Sequence, residues 1–282
     1  MADPILKIKN LNVEYPLFGG ILQKEVSCVH AVKNLSIDIP EGETVGIVGE
    51  SGSGKSTLGK AILNVLNLTA PDVRISGEVL LNENGKYVDI MSLTKKELVY
   101  YRPKMQMIFQ DPFSSLNPRM IVKDIIREPL DIHTDLSQSS KDDKVRWLLE
   151  KVGLSGEQQM RYPHEFSGGQ RQRIGIARAL ATEPKIIIAD EPVSALDVSI
   201  QAQVINLMMD LQEEFKLTIL FIAHDLSVVK HISSHIGVMY LGDLVESGNS
   251  DTIFKAPQHD YTKKLLKAIP IPDPRNRDER KN

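Results

Sequence analysis

The chain has 282 residues, 41% of them hydrophobic and 25% charged, which is enough for one large globular domain with a modest addition. Its 34 Lys and Arg residues against 37 Asp and Glu residues give a net charge of −3, which argues against a protein that coats nucleic acid. The single cysteine, Cys28, excludes an intramolecular disulfide and a cysteine-ligated zinc or iron–sulfur site.

No stretch of the sequence has the length of a membrane span. The longest nearly uncharged apolar run, Leu217 to Ala223, is far shorter than the roughly 20 residues that cross a bilayer. The first residues, from Met1 to Lys7, lack the basic start and apolar core of a secretory signal. We therefore expect a cytoplasmic protein. If it works at a membrane, a partner supplies the spans.

The first part of the chain predicts the opening of an α/β sheet. Apolar alternation over residues 6–15 and 29–39 predicts two strands on either side of a Gly19-Gly20 turn. A short buried strand is predicted from Thr44 to Val48, followed by a Gly/Ser loop and a helix from about Lys55 to Leu66. This order of strand, glycine loop and helix is typical of a parallel α/β sheet.

The middle of the chain has a mainly helical pattern. Thr94 and Glu97 have the spacing of a capping box at the start of a short helix, and residues 105–109 are predicted to form a strand. From about Ile121 to Gln159, apolar residues recur every three to four positions. These features predict a helical insertion that interrupts the α/β pattern.

After Ser167 the alternation of helices and strands resumes. We expect a helix to about Ala181, then a strand over 185–190, a helix over 199–215, a strand over 218–223, and strands near 237–240 and 244–246. The tail over 273–282 carries mixed charges and is expected to be frayed. The sequence has no internal repeat, so it contains one such unit and not a tandem pair.

Residues 49–57, Gly-Glu-Ser-Gly-Ser-Gly-Lys-Ser-Thr, match the phosphate-binding pattern GxxxxGK[ST] and are called the phosphate loop below. Glycines let successive backbone N–H groups turn toward one point and form an anion nest, and the following helix adds the positive end of its dipole. Lys55 is expected to reach the β- and γ-phosphates, and Ser56 to coordinate Mg²⁺. The alternative, an ordinary Gly/Ser turn, is disfavoured by the position between a strand and a helix. The predicted binding residues are Gly49, Ser51, Gly52, Ser53, Gly54, Lys55, Ser56 and Thr57.

Two carboxylates follow the apolar strand of residues 186–189. Asp190 lies at the carboxyl end of a predicted parallel strand, where ligands of such sheets bind, and is placed to hold Mg²⁺ through water. Glu191 is placed next to it to polarise the attacking water. The alternative is a strand followed by solvated acids, but together with the phosphate loop the pair predicts a nucleotide site.

Residues 166–173, Phe-Ser-Gly-Gly-Gln-Arg-Gln-Arg, contain a second predicted anion trap, called the signature segment below. Ser167, Gly168 and Gly169 at a helix start again expose N–H groups and a helix dipole. One triphosphate does not need two such traps from one molecule, so we infer that this one, with Gln170, closes on nucleotide held by another subunit. The alternative is an N-capping serine ahead of a solvated Arg/Gln face.

The order of these motifs resembles the ATP-binding cassette of ABC proteins, and the resemblance covers about residues 6–270. It implies an α/β, ABC-type P-loop ATPase core with a helical subdomain insertion and a small antiparallel β region, and it implies ATP and Mg²⁺ as ligands. Gln110 resembles the glutamine that ligates Mg²⁺ and senses the membrane partner, and Asp197 belongs to a segment resembling the D-loop at the dimer interface. His224 resembles the switch histidine that contacts the γ-phosphate and, with Glu191, forms the catalytic pair. Tyr15 resembles the aromatic residue that stacks on adenine.

The resemblance narrows to the ATPase subunits of oligopeptide/dipeptide importers. It rests on residues 110–118, residues 191–199 and the C-terminal run His259-Asp260-Tyr261-Thr262. In that family this run usually reads H-P-Y-T, so Asp260 is a departure, and the cysteine cluster of many relatives is missing. The implied division is a nucleotide-binding core over 1–93 (with the antiparallel β region and the phosphate loop) and 167–257, a helical subdomain over 94–166, and an importer-type extension over 258–282.

The resemblance also implies a setting and partners. The chain is expected at the cytoplasmic face of the cell membrane, as a peripheral ATPase that powers import through integral-membrane permease subunits. A second ABC ATPase subunit, generally a different motor chain, is expected to complete the ATP dimer. An extracytoplasmic substrate-binding protein acts indirectly, and no nucleic acid is expected as a partner.

Three alternatives compete with this interpretation. A soluble ABC ATPase that acts on DNA or ribosomes usually pairs two cassettes or carries coiled coils, and this sequence has neither heptads nor a basic stripe. A P-loop kinase or GTPase lacks the S-G-G-Q run, and a guanine-reading Asn-Lys-x-Asp is not found here. Nickel and some oligosaccharide importers use closely similar motor subunits, and because a motor subunit does not touch the cargo, the cargo stays open.

Overall fold

Two β-sheets organise the structure, a computed structural model that describes residues 3–20 and 24–268. In this part of the chain the strands are β1 (Leu6–Gly19), β2 (Lys24–Ile39), β3 (Thr44–Val48), β4 (Arg74–Glu83), β5 (Lys86–Asp89), β6 (Met105–Ile108), β7 (Ile186–Asp190), β8 (Thr218–Ala223), β9 (His235–Tyr240) and β10 (Asp243–Asn249). The helices are α1 (Lys55–Ile62), α2 (Leu66–Thr69), α3 (Lys95–Tyr101), α4 (Val122–His133), α5 (Gln138–Lys151), α6 (Gly168–Leu180), α7 (Val198–Phe215), α8 (Leu226–Ile232), α9 (Ser250–Lys255) and α10 (Asp260–Lys267). Short 3-10 helices occupy Ile90–Ser92, Arg102–Lys104, Gly156–Met160 and Pro163–Glu165.

The larger sheet has the strand order β10-β9-β3-β8-β7-β6. Its strands pair in parallel except β10, which pairs antiparallel with β9 at the edge. The central strands β3, β7 and β8 are buried at every residue, which explains why their sequences are continuous apolar runs and do not alternate. Their register sets Val48 beside Ala223 and Asp190 beside Ile222, so the chain leaves all three strands at the same edge.

The smaller sheet is antiparallel, with the order β2-β1-β4-β5. β1 and β2 form a long hairpin whose pairing continues to Gly19 and Lys24. The sequence predicted shorter strands, over 6–15 and 29–39. The difference arises because backbone pairing between the two strands extends the hairpin through residues whose side chains are largely exposed.

The predicted helical insertion is present as α3, α4 and α5, and the capping box at the start of α3 is formed by Thr94 and Glu97. The helical pattern predicted over 121–159 is divided, because α4 ends at His133 and Ser137 caps a new helix by accepting the backbone N–H of Ser140. The predicted helix over 55–66 also ends early, at Ile62, and Asn64 takes a left-handed conformation with φ 51°. The sequence-based domain boundaries stay a prediction, and the tail over 273–282 lies outside the described residues.

The two faces of the larger sheet pack into two separate hydrophobic cores. Ile187, Ile219 and Phe221 point into a cluster shared with the helical insertion, whereas Ile47, Ile188 and Ile222 point into a cluster with α1 and the antiparallel sheet. Because side chains alternate along a strand, one apolar run fills both clusters. In the part of the chain that the structure describes, none of the helices combines the length and the apolar character needed to cross a membrane.

Gly46 tests the packing of α8 against β3. A Cβ added at Gly46 would overlap Val229 Cγ1 and Ser233 Oγ, so Gly46→Ala should lower the free energy of unfolding by about 1–3 kcal/mol. Gly175, inside α6, is the matched control because an added Cβ meets no atom within 4 Å. Gly175→Ala should raise the free energy of unfolding by up to about 1 kcal/mol through helix propensity. Urea denaturation measures both, and equal stability of the two variants would contradict the packing.

Candidate functional site

A cleft of about 750 Å³ opens where the chain leaves the central strands of the larger sheet. Gly49 follows β3, Glu191 follows β7 and His224 follows β8, and all three line the cleft. Gln110, two residues after β6, also lines it, as does most of the phosphate loop. The parallel register therefore gathers residues that are far apart in the sequence.

The phosphate loop is held against the β2 backbone by Gly54. This residue is the N-cap of α1 and takes φ +100°, a conformation that side-chain-bearing residues rarely adopt. A Cβ at this position would also overlap the carbonyl oxygen of Ala31. Both constraints require glycine, and they keep the N-terminus of α1 open toward the cleft.

Lys55 fills the centre of the phosphate loop. Its Nζ donates to the carbonyl oxygens of Gly49 and Glu50, each at 2.8 Å, and only 4% of the residue is exposed. Burial lowers the pKa of Lys55, while the nearby carboxylates of Glu191 and Asp190 oppose that shift. The loop thus holds a preorganised cation with few water contacts, which favours binding of an anion.

Asp190 does not line the cleft itself but contacts Ser56, which does. The Ser56 hydroxyl donates to Asp190 Oδ1 at 2.7 Å, and Asp190 is 4% exposed. Burial raises the pKa of Asp190, and the hydrogen bond from Ser56 together with the charge of Lys60 opposes the rise. These oxygens suit Mg²⁺, which binds proteins through one or two carboxylates and completes its shell with water and phosphate. Among the described residues, no group of three or more His, Cys, Asp or Glu is placed to hold a metal ion.

Glu191 contacts both the other predicted catalytic residue, His224, and the predicted Mg²⁺ ligand Gln110. Its Oε2 accepts a hydrogen bond from Gln110 Nε2 at 3.0 Å and lies 3.0 Å from His224 Nδ1. The Glu191 backbone takes φ +44°, and its N–H donates to the carbonyl oxygen of Ile222 at 2.9 Å. This left-handed turn directly after β7 is unusual for a residue with a side chain and is typical of functional sites.

The signature segment does not line this cleft in the described part of the chain. Ser167 Oγ accepts the backbone N–H of Gln170 at 3.3 Å, and Gln170 Oε1 accepts the backbone N–H of Ser167 at 3.0 Å. The two side chains thereby cap their own helix, α6. Gly168 lies near Leu196 and Phe113, and Asp197 is exposed at the start of α7. Contact of Ser167, Gly168, Gly169, Gln170 and Asp197 with nucleotide on another chain stays a prediction.

The structure does not bring Tyr15 to the cleft lining. Its ring is half-buried against the core cluster of the antiparallel sheet, opposite Val29 in the β1–β2 pairing. The lining comes instead from Val29, His30 and Ala31 of the outer strand, β2. Sequence reasoning missed these residues because strand alternation does not tell which of two paired strands borders a loop. It also missed Leu241 and Leu265, which line the cleft from more distant parts of the chain.

Two family models match the sequence. The model described as ABC transporter matches residues 32–194, and the model described as Oligopeptide/dipeptide transporter, C-terminal region, matches residues 245–282. The chain is 55% identical to the Oligopeptide transport ATP-binding protein OppF of Bacillus subtilis (strain 168), over 97% of this chain and 85% of that relative. It is 50% identical to the Glutathione import ATP-binding protein GsiA of Escherichia coli (strain K12), over 97% of this chain but only 42% of that relative.

Solved structures share the fold. A dimeric, post-hydrolysis structure of the ATP-binding cassette MJ0796 with ADP and Pi superposes with a TM-score of 0.71 and 29% identity, over 87% of this chain and 98% of that one. CbiO1 of Clostridium perfringens, part of the ABC transporter complex cbiONQ, superposes with a TM-score of 0.72 and 27% identity, over 90% of this chain and 92% of that one. The predicted α/β core with a helical insertion and an antiparallel β region is therefore confirmed.

The raised pKa of Asp190 predicts that its buried carboxylate lowers the free energy of unfolding at neutral pH. A carboxyl whose pKa is higher in the folded chain than in the unfolded chain binds its proton more tightly in the folded state. The contribution of Asp190 to the free energy of unfolding therefore falls as the pH rises above 3.8, the ordinary pKa of an aspartate. Asp190→Asn should therefore be more stable than the parent chain at neutral pH. That advantage should shrink as the pH is lowered toward about 4.

Urea denaturation at several pH values measures the difference in the free energy of unfolding. Asp135→Asn is the control, because Asp135 is exposed and its neutralisation should change stability by less than about 0.5 kcal/mol at every pH. A pH-independent difference between Asp190→Asn and the parent chain would contradict the prediction.

Proposed function

The chain belongs to the ABC transporter family, and we propose that it powers an importer of oligopeptides or dipeptides. Membership of the family makes it an ATP-binding and ATP-hydrolysing transporter subunit. The observation that carries the importer assignment is the match of residues 245–282 to the C-terminal region of oligopeptide/dipeptide transporters. The names of the relatives, oligopeptide transport and glutathione import, favour a peptide cargo over the nickel or oligosaccharide alternatives.

In the proposed mechanism, the phosphate loop binds the triphosphate of ATP. The N-terminus of α1 and the Lys55 ammonium face the β- and γ-phosphates, where negative charge is densest. Ser56, Asp190 and Gln110 would hold Mg²⁺, which supplies additional neutralisation of the phosphate charge when bound. The buried Lys55 needs little reorganisation, because its ammonium already occupies the loop.

Glu191 and His224 then act on water. Glu191 orients the attacking water and accepts its proton while the oxygen attacks the γ-phosphorus, giving ADP and inorganic phosphate. His224 and Gln110 both reach Glu191 Oε2, so they fix the direction of the carboxylate. In the proposed mechanism, His224 would exchange this contact for the γ-phosphate and Gln110 would exchange it for Mg²⁺ when nucleotide enters.

A second ABC ATPase subunit is proposed to complete the site. The signature segment lies outside this chain's own cleft lining, and Ser167 is exposed at the start of α6, where the positive end of the helix dipole favours an anion. In the proposed dimer, Ser167, Gly169 and Gln170 of each subunit close on nucleotide held by the other. The partner is proposed to be a related but different motor chain, as is general for this importer family.

A groove of about 350 Å³ is the proposed docking site for a permease. It lies between α2 and α3 on one side and α4 and α6 on the other, and Phe109 lines it. The next residue, Gln110, lines the nucleotide cleft, so one short segment borders both sites. Arg178 ties α6 to this segment by donating to the carbonyl oxygen of Ser115 at 2.7 Å.

The adjacency of Phe109 and Gln110 gives a physical route for coupling. A cytoplasmic helix of a permease that fills the groove would contact the exposed Phe109 ring, and a shift of this segment would move Gln110 relative to Glu191. The chain is thus proposed to act as a peripheral subunit at the cytoplasmic face of the membrane. A substrate-binding protein outside the membrane would act on it only through the permease.

Glu191→Gln tests the catalytic assignment. In the assembled transporter this variant should bind ATP like the parent chain but lose hydrolysis by about 10²–10⁴-fold, because the amide cannot accept the proton of water. Nucleotide binding and phosphate release measure the two properties. With ATP present but without the permease, light scattering of the motor subunits should also detect a persistent dimer of cassettes.

Glu43→Gln is the matched control, because Glu43 also contacts a histidine, with Oε2 3.1 Å from His235 Nδ1, but does not line the cleft. Its hydrolysis rate should stay within about twofold of the parent rate. Parent-like hydrolysis by Glu191→Gln would remove Glu191 from the mechanism.

Leu68→Glu tests the groove. Leu68 is 61% exposed and lines the groove, so a charge there should weaken recovery of co-expressed permease subunits about tenfold or more. ATP binding by the isolated chain should not change. Leu17→Glu is the control, because Leu17 is 47% exposed but lies on β1, outside the groove lining. Equal recovery of permease by both variants would contradict the docking site.

A further inference from the structure

The C-terminal helix α10 is fixed beside the phosphate loop by an elaborate cap. Glu246 on β10 accepts the backbone N–H groups of Gln258 at 2.8 Å and His259 at 3.0 Å. His259 is the N-cap of α10, and its Nδ1 accepts the backbone N–H of Tyr261 at 3.2 Å. These bonds hold the start of α10 against the larger sheet.

The departure of Asp260 from the usual proline leaves this cap intact. Asp260 is the first residue of α10, and its side chain is exposed. Proline is favoured at this position because its backbone nitrogen needs no partner there, and aspartate is favoured because it faces the positive end of the helix dipole. Either residue therefore supports the same start of the helix and the same position of Tyr261.

Tyr261 joins α10 to the phosphate loop. Its hydroxyl accepts the backbone N–H of Glu50 at 3.0 Å, and its ring packs on Tyr240 at the end of β9, with the ring centroids 4.2 Å apart. The residue is 8% exposed, and burial raises the pKa of Tyr261 further above physiological pH, so the hydroxyl is neutral there. The contact therefore has the geometry and the protonation state of a lasting hydrogen bond.

The hydrogen bond from Glu50 completes a clamp on one peptide unit. The N–H of Glu50 and the carbonyl of Gly49 belong to the same planar group. Tyr261 accepts from the N–H, and Lys55 Nζ donates to the carbonyl oxygen at 2.8 Å. Because the peptide is rigid, the two contacts together fix the orientation of the first peptide of the phosphate loop.

Leu265 extends the contact from the loop to the cleft itself. It lies four residues after Tyr261, on the same face of α10, and it is part of the cleft lining. The next residue, Leu266, is also half-buried and packs on the same core cluster, but it does not line the cleft. The chain thus contains two adjacent leucines with similar burial, of which only Leu265 lines the cleft.

We propose that α10 is a working wall of the nucleotide site, in which Tyr261 is a positioning residue for the phosphate loop and Leu265 makes an apolar contact with the nucleoside. This inference rests on the proposed ATP-binding role of the cleft. It gives the C-terminal region a task in nucleotide binding within its own chain, in addition to any role in assembly. Tyr261 acts on the phosphates through the loop, whereas Leu265 acts on the part of the ligand beyond them.

Two probes separate these roles. Inorganic tripolyphosphate contacts the loop but carries no nucleoside, whereas ADP carries both parts. Tyr261→Phe keeps the ring and removes the hydroxyl, so it should weaken tripolyphosphate and ADP alike, by about 3- to 10-fold in Kd. Leu265→Ala should weaken ADP by about 3- to 10-fold and leave tripolyphosphate within twofold of the parent chain.

Isothermal titration of the full chain measures each Kd and the binding stoichiometry. Matched controls are Tyr240→Phe, which keeps the ring pair and the Glu50 contact, and Leu266→Ala; both should bind ADP within about twofold of the parent chain. A variant that only loses folded protein lowers the stoichiometry without changing the Kd, so it is distinguished from one with a disturbed site.

Parent-like Kd values for both probes in Tyr261→Phe, or equal ADP affinities of Leu265→Ala and Leu266→Ala, would overturn the inference. Failure of the parent chain itself to bind ADP would instead overturn the proposed function of the cleft. In the expected pattern, Tyr261→Phe weakens the Kd for both probes and Leu265→Ala weakens the Kd for ADP alone. A general loss of stability would not produce this difference.

Discussion

The cation buried in the phosphate loop is the constraint around which the rest of the site is built. The Lys55 ammonium is largely desolvated and donates hydrogen bonds to the carbonyl oxygens of Gly49 and Glu50. Asp190 and Glu191 are close enough to oppose the fall in its pKa. Such a charge is stable only in a closely fitted loop. The glycine at position 54, the Ala31 carbonyl behind it and the packing of α1 on the sheet all serve that fit.

The parallel sheet positions the acidic residues and the histidine that lie near this cation. Because β3, β7 and β8 end in register, Asp190, Glu191 and His224 arrive at the phosphate loop from two further strands. Glu191 then takes a left-handed turn that sets its carboxylate between Gln110 and His224. The sheet therefore provides both the rigid frame and the place where backbone strain is tolerated.

Two segments far apart in the sequence converge on the cleft proposed to bind nucleotide. The segment after β6 borders the proposed permease groove through Phe109 and the cleft through Gln110. On the other side, α10 reaches the phosphate loop through Tyr261 and the cleft through Leu265. A signal from a permease and a constraint from the C-terminal region would therefore act on the same phosphates, by way of different elements.

The sequence by itself determined the parts that depend on short patterns: the phosphate loop, the carboxylates after β7, the capping box at Thr94 and the apolar runs of the central strands. These are local, because a glycine, a cap or a fully buried strand is recognisable within a few residues. Only the tertiary structure decided how far the β1–β2 hairpin extends, that Val29 and not Tyr15 borders the cleft, and that Tyr261 bonds to Glu50 across 211 positions. Such contacts depend on which strands and helices pack together, and no periodicity in the chain encodes that choice.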